Sequence, residues 1–478
     1  MEKSTAVILV CCAYFAIMIL VGILVMARNK KASDFLVAGR KLSLPFTVAT
    51  LTAVQIGAGI ILGGSSTGAS MGIWPGMWYS VGCGGGLILA GILVAGKLRQ
   101  KESFVPLDFF EKRYGSNKWI RLWAWASNVP SLLGIFIAQL LACGSILSGF
   151  GIPFYSGVII CALVIMIYST LGGLWGIVIT DAIQTSIILI SIPIISIASL
   201  MLLRSNNIDP ATLFTTPFIP QGTFTKFVYL VIPFLIAISV SYDAFIRYQA
   251  SKNADVARWG CIIAGILVII IGVLTSTVGA AARLIYPDVK EGVFSFMVIK
   301  SLNPLLAGIV ISAVLGAAMS SGSGLLIALG ATFSRDLYNR FLHPEANLDE
   351  LPYSKIISRL AVALSVVAGI LLSFKVTSIL DAIIIFNYPY MGSLLIPLLA
   401  GVLWKGATRD GAISAIFAGG IVGTGAFLAG IPGPFKGWIN TDLGLFYAYG
   451  LSLVILVIVS KWENQHGLIS LNGIKKKE

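Results

Sequence analysis

The sequence predicts an all-α, polytopic membrane protein with about thirteen transmembrane helices. Three observations carry that expectation. The chain is 57% hydrophobic and only 11% charged over 478 residues, with a mean hydropathy of +0.93. A soluble chain of this length needs far more charge to cover its surface. Apolar runs long enough to cross a bilayer recur at 5–27, 44–70, 74–97, 119–148, 154–174, 176–203, 224–247, 258–284, 304–334, 354–373, 377–402, 409–430 and 443–461. Two of these runs are interrupted, at 51–70 by glycines and at 230–249 by Pro233 and the polar stretch 239–241. A bilayer tolerates a broken helix only where the freed backbone groups face protein, ligand or a cavity.

The elements follow in order. The run 5–27 is preceded by Glu2 and Lys3 and followed by Arg28, Lys30 and Lys31. A secretory signal carries its positive charge before the apolar core, so this run is expected to be a retained helix with its amino end outside. With that orientation, 25 of the 33 Lys and Arg residues fall on one side. The positive-inside rule makes that side cytoplasmic. The net charge of +13 is therefore a topology signal, and a nucleic-acid partner is not expected. The region 101–121 sets Phe104, Leu107, Phe109, Phe110 and Tyr114 among charges, as a helix lying along the inner interface would. The loops 206–221 and 286–303 are short.

Runs 2–6 and 7–11 form two groups of five, opposite in orientation, and each group opens with an interrupted helix. The expected organisation is 1–43 for the first helix and its loop, 44–203 for one five-helix repeat, 204–402 for its inverted counterpart, and 403–478 for two further helices and a basic tail. The six cysteines lie in apolar runs without a C-x-x-C pair and read as small buried hydrophobes. His343 and His466 fall in cytoplasmic segments, which leaves no intramembrane histidine for a proton relay. An enzyme is not expected, for want of a nucleophile with a base or of paired metal ligands. The plasma membrane is the expected location, with the carboxyl tail cytoplasmic; a monomer is expected, with an oligomer left open.

Four clusters carry chemistry. Gln55 stands amid Gly57, Gly59, Gly63, Gly64 and Gly68. Such glycines mark either close helix packing or a substrate-site break of the kind paired in inverted-repeat transporters. Asp243 either pairs with Arg247 one turn on or is a cavity carboxylate that meets a solute amine. Thr180, Asp181 and Gln184 share one helical face, and Asp181 either caps the helix start or belongs to a cation path. Ser320, Ser321 and Ser323 either bond back to their own helix or offer neutral oxygens to sodium, since hard cations take oxygen ligands. Asn387, Tyr388 and Tyr390 are a candidate opposite wall of the pocket, or interface aromatics.

Five stretches, taken together and in order, resemble the sodium:solute symporter family over residues 5–460. They are Asp34-Phe-Leu-Val-Ala-Gly39-Arg40-Lys-Leu, Tyr168…Gly172-Gly173…Thr180-Asp181…Gln184, Arg247…Ala250-Ser-Lys252…Ala257-Arg258, Ala317…Ser320-Ser321…Asp336-Leu-Tyr338, and Trp404-Lys405…Thr408…Gly411-Ala412. The resemblance implies a leucine-transporter-like core of five plus five inverted helices, with one helix before and two after. It implies co-transported Na+ held by the carbonyls of Ala53, Ile56 and Ala317 and the hydroxyls of Ser320 and Ser321. Some relatives hold a second sodium near the residue matching Asp181, for which Ser323 fits here, while position 324 departs as Gly. The implied activity is sodium-coupled import of a small organic solute (amino acid, carboxylate or amine-like) by alternating access, with solute among Gln55, Gly57, Gly59, Tyr242, Asp243 and Asn387. The alternatives are a proton-coupled or uncoupled transporter of the same fold and, more remotely, a membrane sensor or channel.

The topology is directly checkable. Single cysteines placed at Ser205 and Ser116 are expected to label from opposite faces of intact cells, Ser205 from outside. Labelling of both from outside overturns the repeat assignment.

Overall fold

The computed structural model describes residues 3–25, 37–289, 291–346, 351–376, 379–431, 433–439 and 441–466. The start of the Asp34 motif, the basic residues Arg28, Lys30 and Lys31, and the 475–477 tail lie outside the described residues. Among the described residues the fold is all helical, with one isolated bridge between Leu42 and Ser251. Eleven helices are long and apolar enough to cross a membrane, or up to twelve when a bent pair counts as one span. One of the eleven, Phe154–Ser205, has 52 residues. At 1.5 Å per residue it is about 78 Å long, more than twice the hydrocarbon thickness. It reverses at Gly173, whose φ of 54° and ψ of −158° suit glycine alone. Counting two spans there brings the total to the expected thirteen.

In chain order, α1 is Lys3–Val25, and the first broken span is α2 (Leu44–Gln55) followed by α3 (Gly59–Met71), bent by 55° between them. Next come α4 (Ile73–Leu93), the short α5 (Pro106–Tyr114), α6 (Lys118–Ser148) and the reversing α7 (Phe154–Ser205). The second broken span is α8 (Phe224–Ala237), a short tight turn with an extended Ser241, then α9 (Tyr242–Ala250). It is followed by α10 (Ala254–Ile285), α11 (Pro304–Leu342), α12 (Ser354–Ser373) and α13 (Ala382–Leu403). The chain continues with α14 (Arg409–Gly430) and α15 (Thr441–His466).

The core divides into two packed groups. The broken spans α2/α3 and α8/α9 pack with α4 and α10, while α6, α7, α11 and α12 pack with one another. At one end the two broken spans are tied by backbone. Leu42 N donates to Ala250 O at 3.0 Å, and Lys252 N donates to Leu42 O at 2.8 Å. Arg99 Nε adds a bond to Ser251 O at 2.6 Å. The first group therefore carries both helix breaks as one body against the second.

Candidate functional site

The site is built from what the first break does to its own backbone. In an unbroken helix Gly57 N would bond to Ala53 O, and Ala58 N to Val54 O. Here Gly57 N turns to Gln55 O at 2.9 Å, and Ala58 N donates to Gln139 Oε1 of α6 at 2.9 Å. The carbonyls of Ala53 and Val54 are thereby released toward α11, where Ser321 Oγ donates to Val54 O at 2.8 Å and reaches Ala53 O at 3.5 Å. Gly57 makes this approach feasible, because a Cβ there would lie 2.7 Å from both Gln139 Oε1 and Ser321 Oγ.

The other expected sodium residues are buried nearby. Ala53, Ile56, Ala317 and Ser320 have no exposed surface, and Ile56 ends α2 with non-helical φ and ψ. The two adjacent serines face different partners. Ser321 meets the first broken span, whereas Ser320 Oγ donates to Asp181 Oδ1 of α7 at 2.5 Å. Thr50 Oγ1 of α2 donates to Asp181 Oδ2 at 2.5 Å. Ser323 Oγ donates back to Ser320 O at 2.9 Å, the self-satisfied arrangement common for a serine within a helix.

Between the two breaks lies a cavity of about 60 Å³. Gln55, Gly57, Gly59, Gln139, Asp243, Ser321 and Asn387 line it, with Tyr79, Phe234, Ile135, Ile383 and Met391 as apolar walls. Gln55 Nε2 approaches Asp243 Oδ2 at 3.5 Å. Of the two expectations for Asp243, the side-chain pair with Arg247 is not formed. Arg247 Nη1 bonds to the backbone carbonyl of Asp243 at 3.0 Å, and its ion pair among the described residues is with Asp181. The Asp243 carboxylate is left on the cavity.

Two residues expected at the solute are used elsewhere. Tyr242 lies one helical step, about 100°, round from Asp243, and its hydroxyl donates to Asp336 Oδ2 at 3.0 Å. Asn387 reaches the cavity wall, but its amide is already engaged: Ser131 Oγ donates to its Oδ1, and its Nδ2 donates to Ile383 O at 2.5 Å.

The cavity is closed on the side of α5. Arg121 Nη2 bridges Asp108 at 2.6 Å and Asp336 at 2.9 Å, Arg121 Nη1 meets Glu111 at 2.6 Å, and Arg335 meets Asp108 at 3.1 Å. Burial alone would raise the Asp108 carboxyl, but the Arg121 and Arg335 guanidinium groups override it and hold it well below the usual carboxylate range. A carboxyl lowered in this way contributes its stability above the ordinary carboxylate pKa and loses it only in strong acid. The Asp108 charge is therefore constant across neutral pH. Toward the opposite end a cavity of about 530 Å³ is lined by Leu62, Ser66, Thr67, Ser145, Glu291, Phe294, Phe374 and Ile379, among others. Leu62 and Ile379 are each about one turn from Gly59 and Ile383 on the inner cavity's wall.

A model of the sodium:solute symporter family matches residues 35–419. The chain belongs to the sodium:solute symporter family. The sodium/pantothenate symporter of Escherichia coli (strain K12) is 27% identical over 87% of this symporter and 89% of its own length. The osmoregulated proline transporter OpuE of Bacillus subtilis (strain 168) is 24% identical over 94% and 93%. Among solved structures, a substrate-bound, outward-open Na+-coupled sialic acid symporter superposes with a TM-score of 0.76 at 17% identity, covering 96% of this chain and 98% of that one. MHP1, a nucleobase-cation-symport-1 family transporter, superposes at 0.57 with 13% identity over 90% and 94%. These likenesses establish the inverted-repeat transporter fold. The symporter is thus a polytopic integral membrane protein that couples sodium to a solute, and it is not an enzyme.

Sequence reasoning did not find Gln139, Thr50 or Val54. Gln139 carried a signal, since an amide within an apolar 31-residue helix is costly unless it has a partner. Thr50 and Val54 carried none, because their part depends on where the first break falls.

Proposed function

We propose that this symporter imports a small zwitterionic solute of the amino-acid class, bound between the two helix breaks. The observation that carries the reading is the Asp243 carboxylate on a small cavity, where among the described residues no cation meets it and its side-chain contact is the Gln55 amide at 3.5 Å. A carboxylate there favours a solute ammonium. The start of α3 faces the same space, and the first N–H groups of a helix lack intrahelical partners and attract negative charge. An α-amino acid presents both complements on one small frame, and the apolar walls suit a compact aliphatic body. The relatives whose names specify proline are consistent with this class.

Sodium is proposed to sit between α2 and α11, on the carbonyls released at the break and the Ser321 hydroxyl. Val54 O joins Ala53 and Ile56 as a candidate carbonyl. The bland role for Ser321, bonding to its own helix, does not apply, since its hydroxyl reaches across to the broken span. An ion there adds attraction between the two helix groups, and in doing so shapes the solute cavity one residue away at Gln55. The amino end and the 530 Å³ cavity are assigned to the outside, and the α5 ionic cluster to the cytoplasm.

Uptake into proteoliposomes tests both assignments. Removing a hydroxyl oxygen from a charged partner costs about 1.5–3 kcal/mol, so Ser321→Ala is expected to raise the sodium concentration for half-maximal uptake roughly ten- to hundredfold, with expression unchanged. Unchanged sodium dependence removes the site. Asp243→Asn is expected to weaken the apparent affinity for amino-acid solutes by a similar factor at saturating sodium. Equal affinity in Asp243→Asn and the native protein retires the ammonium contact.

A further inference from the structure

Beside the proposed sodium site lies a buried negative charge that this ion does not meet. Asp181 has no exposed surface, and its two oxygens accept from Ser320 and Thr50. A carboxylate with two hydroxyls is an oxygen set suited to a hard cation. A buried carboxylate also needs a compensating positive charge.

The cation found there is covalently part of the chain. Arg247, 1% exposed, reaches in from α9. Its Nη2 lies 3.6 Å from Asp181 Oδ2, its Nε donates to Thr50 Oγ1 at 2.9 Å, and its Nη1 is held by the Asp243 carbonyl. The room for this guanidinium comes from Gly324. A Cβ at that position would lie 2.6 Å from Nη2 and 3.3 Å from Nη1, so any side chain there, a serine ligand included, would push the arginine away from Asp181. Ser323, the neighbouring hydroxyl, is turned back onto its own helix. The residues around Asp181 therefore suit a resident arginine and do not suit a second sodium.

We infer that Arg247 serves as a tethered cation at Asp181 in place of a second sodium, so that the symporter binds and moves one sodium per solute. The inference rests on the sodium-symport assignment above. Arg247 lies on α9 of the first helix group and Asp181 on α7 of the second, so the pair also joins the two groups.

Equilibrium binding of radiosodium to the purified protein in liposomes is the test, with sodium as the only probe. The native protein is expected to bind one ion per chain without cooperativity. Two ions per native chain overturn the inference. No saturable binding overturns the sodium site and the inference with it. Binding of one ion that Ser321→Ala leaves unweakened moves the sodium site elsewhere and leaves the arginine assignment standing. The paired change Arg247→Gln with Gly324→Ser removes the resident charge and supplies a hydroxyl. It is expected to bind two ions, and its thermal midpoint is expected to rise with sodium more steeply than that of the native protein. A folded paired variant that still binds one ion, with a native sodium response, contradicts exclusion by Arg247. The single change Arg247→Lys keeps a cation in place and is expected to remain at one.

Discussion

A helix that stops inside a membrane has to place its freed backbone groups, and the rest of this structure follows from how that is done. With no water at hand, each orphaned N–H or C=O costs several kcal/mol. The first break places its groups on other helices. Ala58 N goes to Gln139 of α6, and Val54 O takes the Ser321 hydroxyl of α11. Both partners belong to the second group of helices. The break is therefore where the first group holds the second, and the oxygens it releases suit a monovalent cation. The cavity lined by Gln55 opens within a residue of the same carbonyls, so an ion and a solute bound as proposed would share backbone.

The α5 end has the converse design. The two broken spans are joined there by the short pairing of Leu42 with Ala250 and Lys252. Beside that pairing lies a buried ionic cluster. Tyr242 on α9 meets Asp336 on α11, and Arg121 gathers Asp336, Asp108 and Glu111. Breaking one partner out of a buried charge network costs about 3–5 kcal/mol, and opening inward has to supply that through rearrangement of the same groups. Asp181–Arg247 adds a second, deeper contact of the same kind. The closure at the α5 end is thus electrostatic and directional.

Much of the architecture was legible because bilayer length and helix-breaking residues are local properties. The spans, the Gly172–Gly173 reversal, the interruptions after Gln55 and around 239–241, and a short helix within 101–121 at Pro106–Tyr114 all fall within a few residues of expectation. Residue pairing was legible only in part. Helical spacing pairs Asp243 with Arg247, yet the arginine turns to Asp181, 66 positions away, because a buried carboxylate without a cation is costlier than one bordering a cavity. Tyr242 is expected at the pocket beside Asp243, and Asn387 as part of its opposite wall, where it does line the cavity. Their polar atoms are used by Asp336, Ser131 and Ile383, partners that only the tertiary packing brings close. Val54 illustrates the same limit, since a carbonyl becomes a candidate ligand only once the turn at Gly57 is known.

The central claim is that sodium clamps the first broken span against α11. Spin labels at Phe46→Cys, near the start of α2, and Leu342→Cys, at the end of α11, in a cysteine-free background report that clamp directly as a distance distribution in liposomes. One narrow distribution is predicted in sodium, and a broader one with longer distances in equimolar potassium, with Ser321→Ala showing the potassium pattern in both salts. Identical distributions in sodium and potassium for the native serine would contradict the account.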